Sequence, residues 1–268
     1  MIHLKSITVR KWEPQDSTQF PFNLPILQSF KGINFTAPVT FFVGENGSGK
    51  STFLEAIACA VDSITVGSES VKTDKSLMAV RRFSKYLQLS WNKRTHRGFF
   101  LRAEDFFGYA KNQAQMRQEF EEDIKAVDRD YEGRSQLAKI LAKMPYKGEL
   151  HSMERQYGEG LDVNSHGESF LKLFQARFVP DGLYLLDEPE APLSPTRQLA
   201  FIAALKQMVA QDSQFIIATH SPIIMAFPQA VILSFDSPQI HQVEYGDIEH
   251  VNFTKAFLNN PDAFLRHL

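Results

Sequence analysis

The run Gly44-Glu45-Asn46-Gly47-Ser48-Gly49-Lys50-Ser51-Thr52 follows directly on five residues, Val39-Thr40-Phe41-Phe42-Val43, that read as a buried strand. Glycine, four residues, then Gly-Lys-Ser/Thr arises by chance in roughly one chain in a hundred of this length. After it, apolar residues recur at Phe53, Leu54, Ile57, Ala58 and Val61, the stripe of a helix with one buried face. Strand, glycine loop and helix together constrain the fold strongly. The glycines let successive backbone N–H groups turn inward around a polyphosphate at a helix N-terminus. Lys50 then neutralises β- and γ-phosphate oxygens, and the Ser51 hydroxyl ligates Mg²⁺.

A phosphate loop of this kind needs a carboxylate for the metal at the end of a neighbouring buried strand. Leu183-Tyr184-Leu185-Leu186 leads into Asp187-Glu188 and supplies it. Asp187 is the expected Mg²⁺ partner, and Glu188 can hold an attacking water and take its proton. The rest of the chain is consistent with an α/β domain. Residues 2–10 alternate apolar and polar, which predicts a strand rather than a signal peptide, and Ile26 to Thr36 also reads as β-rich. Ser169 to Phe178 is expected to be helical, Ser194-Pro195 to open a helix to about Ala210, and 231–235 and 240–245 to be strands, with a helical stretch last. Phe215 to Phe235 is apolar enough to suggest a membrane span, but Pro222 and Pro228 divide it into two short strands with a helical piece between.

Residues 63–164 are read as a helical lobe. Met116, Phe120, Ile124, Val127 and Tyr131 mark one amphipathic helix, and Leu137, Ile140, Leu141 and Met144 mark a second that is expected to end at Pro145. Between Lys75 and Ala103 stand eight basic residues and no acid, namely Lys75, Arg81, Arg82, Lys85, Lys93, Arg94, Arg97 and Arg102. With 29 basic and 31 acidic side chains, net −2, only such a local patch can contact nucleic acid. The single cysteine, Cys59, sits in the helix after the phosphate loop and excludes an intramolecular disulfide or a cysteine zinc site.

Four motifs in a fixed order extend the reading. Gly44–Thr52, then Ser165-His166-Gly167-Glu168, then Asp187-Glu188-Pro189, then Thr219-His220-Ser221 resemble the Walker A, signature, Walker B and switch-histidine motifs of ABC-type ATPase heads. The chain is similar to the small bacterial AAA-family "predicted ATPase" proteins, related to chromosome-maintenance and recombination-repair ATPases. The resemblance covers nearly all of it, with 63–164 weakest. It departs in the signature, where His166 replaces the first Gly of Leu-Ser-Gly-Gly-Gln and Glu168 replaces Gln.

The resemblance implies an α/β P-loop NTPase of the ABC-ATPase type, a single domain over 1–268. Residues 1–62 and 165–268 would form the nucleotide-binding core, with an N-terminal antiparallel β-subdomain and 63–164 as a small helical lobe. It further implies ATP and Mg²⁺ as ligands, ATP hydrolysis and a homodimer formed on ATP. In that dimer Ser165 to Glu168 would act in trans on the γ-phosphate, and His220 would bridge the γ-phosphate and Glu188. The family's glutamine loop has no Gln in Gly98–Asp105, so Glu104 is expected to replace it in the Mg²⁺ shell. Trp12, Phe20 and Phe22 are candidates to stack on adenine, though core or loop packing accounts for each of them as well. A cytoplasmic switch ATPase working with DNA or with a repair or defence protein is the expected setting. The alternative is the ATP-binding subunit of a membrane transporter.

Overall fold

A computed structural model of the chain describes residues 1–13, 16–67, 69–157 and 166–266. Its larger sheet has six strands in the order β5-β6-β7-β3-β8-β9. These are β3 (Val39–Val43), β5 (Phe100–Arg102), β6 (Leu183–Asp187), β7 (Gln214–Ala218), β8 (Val231–Ser234) and β9 (His241–Val243). All neighbours run parallel except β9, which turns back on β8. β3, β6 and β7 are buried along their whole length, which explains why they read as continuous apolar runs rather than alternating ones.

The register places functional residues side by side. Phe42 lies opposite Ala218, Asp187 opposite both Ala218 and Arg102, and Val43 opposite Ser234. Every parallel strand therefore ends at one edge of the sheet, where a doubly wound fold binds its ligand. The helix α2 (Lys50–Val61) leaves β3 there and buries Phe53, Leu54, Ala56, Ile57 and Ala58. Each large apolar side chain so buried contributes about 1.5–3 kcal/mol.

The smaller sheet is antiparallel, in the order β2-β1-β4, from β1 (Leu4–Val9), β2 (Gly32–Asn34) and β4 (Leu87–Trp91). The β-rich reading of Ile26 to Thr36 is corrected in its first part: Pro25–Gln28 is a helical turn, α1, with Pro25 at its first position. Proline's missing N–H is no loss there and its fixed φ favours the helix. Trp12 and Phe22 meet edge to face at 5.6 Å, and Phe22 meets Phe83 at 5.5 Å; Phe22 is fully buried and Phe20 is exposed.

The stretch 63–164 is more than a helical lobe. It gives α3 (Met78–Ser84), β4 to the small sheet and β5 to the large one before the helical hairpin of α4 (Ala103–Asp130) and α5 (Gln136–Tyr157). The expected stop at Pro145 is overturned, because Pro145 lies inside α5. The ring cannot bond the carbonyl of Leu141, but Leu141 is exposed and water can serve that carbonyl instead. Next come α6 (His166–Arg177), α7 (Pro195–Val209), α8 (Pro222–Met225), α9 (Glu249–Asn259) and α10 (Pro261–Leu265). Ser221 caps α8 through the N–H of Ile224, as its sequence suggests, whereas Ser194 precedes α7 without a side-chain cap bond. No helix among the described residues is long and apolar enough to cross a membrane.

Candidate functional site

The phosphate loop owes its shape to glycine. Gly44 has φ 144°, and a Cβ there would stand 2.8 Å from Asp236 Oδ1. That same Asp236 oxygen accepts the Glu45 N–H at 2.7 Å, so the end of β8 braces the loop. Asn46, Gly47 and Ser48 continue the turn along one wall of a cleft of about 1090 Å³, and Gly49, at φ 98°, delivers the chain into α2. Thr52 follows in the first turn of that helix and is partly buried.

Lys50 folds back into the loop, where its ammonium donates to the carbonyls of Gly44 and Glu45, each at 2.8 Å. Burial pulls its pKa below the ordinary lysine value, against the opposing pull of Glu188, Asp187 and Asp236. The next hydroxyl, Ser51 Oγ, donates to Asp187 Oδ1 at 3.0 Å. Asp187 is pushed up to about 7 by burial, which the Ser51 bond only partly offsets and the neighbouring Glu188 reinforces. The pair of hard oxygens and the buried carboxylate fit a divalent cation such as Mg²⁺, which takes few protein ligands beside phosphate and water.

Glu188 adopts a left-handed φ of 49°, and its N–H donates to Ala218 O at 2.9 Å. This turns the chain sharply off β6 and sends the carboxylate toward the end of β7, where Glu188 Oε1 lies 3.8 Å from His220 Nε2. Burial, with the nearby Lys50 charge, lowers the His220 pKa and keeps its ring neutral at pH 7, despite Glu188. His220 Nε2 is buried with no hydrogen-bond partner among the described residues. The sequence motifs thus converge, with Gly44 to Thr52, Asp187, Glu188 and His220 on one sheet edge.

Glu104 stands in the first turn of α4, with its side chain 76% exposed and 3.6 Å from Arg102. Ser165 lies outside the described residues. Of the remaining signature residues, His166 begins α6, and Gly167 is packed so closely that a Cβ would meet Pro192 O at 2.7 Å. Glu168 pairs with Arg197 at 3.6 Å and Lys172 at 3.4 Å, which ties the start of α6 to α7.

The basic run is largely committed to internal contacts. Arg81 donates to Val71 O and Asp74 O, Arg82 to Asp16 and Gln19, Lys93 to Asp181 and Arg97 to Pro180 O. Arg102 is the centre of a buried network with Glu55 at 3.3 Å, Asp74 at 3.1 Å and Asp105 at 2.7 Å. Acids outside the run thus answer a run that has none within it.

One residue at the heart of the site carried no motif signal beyond its place two positions after Glu188. Glu190 Oε1 accepts the His220 N–H at 2.6 Å, its other oxygen is buried without a partner among the described residues, and burial raises its pKa.

Comparison with known proteins bears on this arrangement. A family profile described as an AAA domain matches residues 22–139, which takes in the phosphate loop. No curated protein matches the sequence. Among solved structures, the chain is similar to the Smc head domain of Pyrococcus furiosus, determined with an extended coiled coil and bound to the C-terminal domain of ScpA. The identity is 12%, covering 97% of this chain and 99% of that one, with TM-score 0.48. It is similar also to the SMC head domain from Thermotoga maritima, at 17% identity over 91% and 100% of the two chains, TM-score 0.46. A third is a dimeric ATP-binding cassette in a post-hydrolysis state with ADP and Pi, at 17% identity over 91% and 99%, TM-score 0.45. With an AAA match over its phosphate loop, and with Gly167-Glu168, Asp187-Glu188 and His220 following in that order, the chain resembles an ABC-type ATPase head.

Proposed function

We propose that this protein is a Mg²⁺-dependent ATPase head whose two copies close on ATP. The observation that carries the reading is the bond from Ser51 to Asp187, which joins the phosphate loop to the carboxylate strand beside Lys50, Glu188 and His220. Lys50 exchanges its two loop carbonyls for β- and γ-phosphate oxygens, while the loop N–H groups and the α2 N-terminus cradle the chain of phosphates. Ser51 and Asp187 would hold Mg²⁺, which neutralises phosphate charge.

Glu188 orients a water and takes one of its protons as the oxygen attacks the γ-phosphorus. The bond to the ADP oxygen breaks, and the products are ADP and phosphate. Neutral His220 donates a hydrogen bond to the γ-phosphate and senses its departure. The remaining face of the γ-phosphate is covered by the α6 N-terminus of a second copy, Ser165 to Glu168, whose helix dipole favours the negative charge.

Of the two settings, we favour a cytoplasmic switch ATPase acting with DNA or with a repair or defence protein over a transporter subunit. In support, the turn after β5 has no glutamine and is built instead around the Arg102 network. The direct test is release of phosphate from ATP by wild type, Glu188→Gln and Lys50→Ala. The wild type alone should turn over, Glu188→Gln should bind ATP without cleaving it, and Lys50→Ala should do neither. Full activity in Glu188→Gln would remove the assigned base.

A further inference from the structure

Between β6 and α7 the chain runs as two successive turns. The N–H of Ala191 closes the first on Glu188 O at 3.1 Å, and that of Leu193 closes the second on Glu190 O at 2.8 Å. Two side chains leave this segment and the first turn of α7 for the loop Thr219-His220-Ser221 after β7. Glu190 Oε1 accepts the His220 N–H at 2.6 Å. Gln198 Oε1 accepts the Ser221 hydroxyl at 2.5 Å, while Gln198 Nε2 donates back to Leu193 O at 3.1 Å.

These bonds form a satisfied chain. The Gln198 amide is used at both its oxygen and its nitrogen, which fixes the way round that it sits. Ser221 Oγ accepts the Ile224 N–H at 3.1 Å as it donates to Gln198, and the Ser221 N–H is bonded to Thr219 Oγ1 at 3.0 Å. Ser221 is only 6% exposed, so water competes little for its hydroxyl. His220 is therefore held at its own N–H and at the residue that follows, from the one segment that also carries Glu188. Its ring is not so tied. Nε2 is buried with no hydrogen-bond partner among the described residues, and its 3.8 Å to Glu188 is longer than a hydrogen bond. The backbone, fixed by the two side chains, sets where the ring stands relative to Glu188.

We propose that Glu190 and Gln198 are positioning residues, a clasp that mounts the switch histidine and the base on one frame. The proposal rests on the ATPase reading for its kinetic consequence, whereas the clasp itself can be read without turnover. Residues that act through the backbone of another should govern the chemical step and leave capture of ATP alone. Displacing a reacting group by about 1 Å costs up to about a hundredfold in rate.

The test measures kcat and KM well below each variant's thermal midpoint, where all of the protein is folded. Glu190→Leu should lower kcat about 10- to 100-fold. KM for ATP should change less than about twofold. Glu190→Gln presents an amide oxygen to the same N–H and should recover most of the rate. Gln198→Met keeps the length of the side chain without its polar atoms and should also lower kcat. Because both residues act on one loop, the double variant should lose less than the product of the two single losses.

A wild-type kcat in Glu190→Leu, or a fall in Glu190→Gln as large as in Glu190→Leu, would overturn the proposal. So would a rise in KM that accounts for the whole loss, or single losses that simply multiply. Should the leucine variant not fold, an unchanged kcat in Gln198→Met overturns it equally. A second readout needs no ATP. With histidine alone carrying ¹⁵N, the His220 amide is the backbone peak lost in His220→Gln. Its exchange with solvent should be about tenfold faster in Glu190→Leu than in wild type, and near wild type in Glu190→Gln. If even the wild type fails to hydrolyse ATP, the ATPase reading falls. The exchange rates then decide the clasp: faster exchange in Glu190→Leu upholds it, and equal rates overturn it.

Discussion

Ser51 and Asp187, 136 positions apart, meet through a hydrogen bond of 3.0 Å. The hydroxyl at the start of α2 and the carboxylate at the end of β6 are thereby set beside one another before any ligand arrives. A cation placed there would add charge where burial has left Asp187 reluctant to ionise, at a pKa near 7.

That reluctance has a sign that stability measurements can read. In the unfolded chain Asp187 ionises near 4, whereas in the fold it holds its proton to about 7. The folded state thus binds more protons between these values, and this residue's contribution falls as pH rises through the window. Asp187→Asn abolishes the effect. Without nucleotide, its thermal midpoint should gain on wild type between pH 5 and pH 8, at about 2–4 °C per kcal/mol. A constant difference across that range would contradict the burial argument.

Lys50→Ala removes the ammonium that bonds Gly44 O and Glu45 O. ATP with Mg²⁺ should raise the thermal midpoint of wild type, because a ligand that binds only the folded state stabilises it. The same addition should leave the variant unmoved. An equal rise in both would place the nucleotide away from the loop.

Glu190→Leu leaves the His220 N–H buried without an acceptor, a loss of about 1–3 kcal/mol. Glu190→Gln retains an acceptor oxygen and should stay close to wild type. Thermal melts rank the two, and a leucine variant as stable as the glutamine one would show that the bond is dispensable.

Arg102→Met strands Glu55, Asp74 and Asp105 around an apolar side chain. Removing one partner from a buried ionic cluster costs about 3–5 kcal/mol. Urea unfolding should show a loss of that size at pH 7. Changes at Lys75 or Lys85, both on the surface, should fall within about 0.5 kcal/mol.

Sedimentation tests the composite site. Glu188→Gln should accumulate as a dimer with ATP and remain monomeric without it. Lys50→Ala and Ser165→Arg should each be inactive, yet their mixture unites one intact phosphate loop with one intact signature and should regain part of the rate. A monomer at tens of micromolar protein with saturating ATP would sink the two-copy mechanism.

Much of the site was legible because its chemistry is local. A glycine loop, a buried strand ending in two acids and a histidine after a second buried strand each announce themselves within ten residues. What escaped depends on contacts across the fold. Glu190 is an ordinary acid until β7 brings the His220 N–H to it, and His250 is a lone histidine until α9 packs on the cleft. The eight basic residues looked unopposed because Asp16, Asp74 and Asp181 lie outside their run. Pro145 misled for the opposite reason: helix breaking is a local rule, and an exposed hairpin tolerates the break.

The position of β3 between β7 and β8 bears on how the chain is made. Both of its sheet neighbours come from beyond residue 213, so the strand that carries the phosphate loop leaves the ribosome at least 170 residues ahead of them. At about 5–20 residues per second, that interval lasts from roughly ten seconds to half a minute. Throughout it Val39 to Val43 is an apolar, β-prone segment with both edges unpaired, the kind of stretch that aggregates or recruits a chaperone. Nascent chains halted before β7 should therefore bind a holdase and fail to retain ATP, whereas chains released at full length should lose the first property and gain the second together.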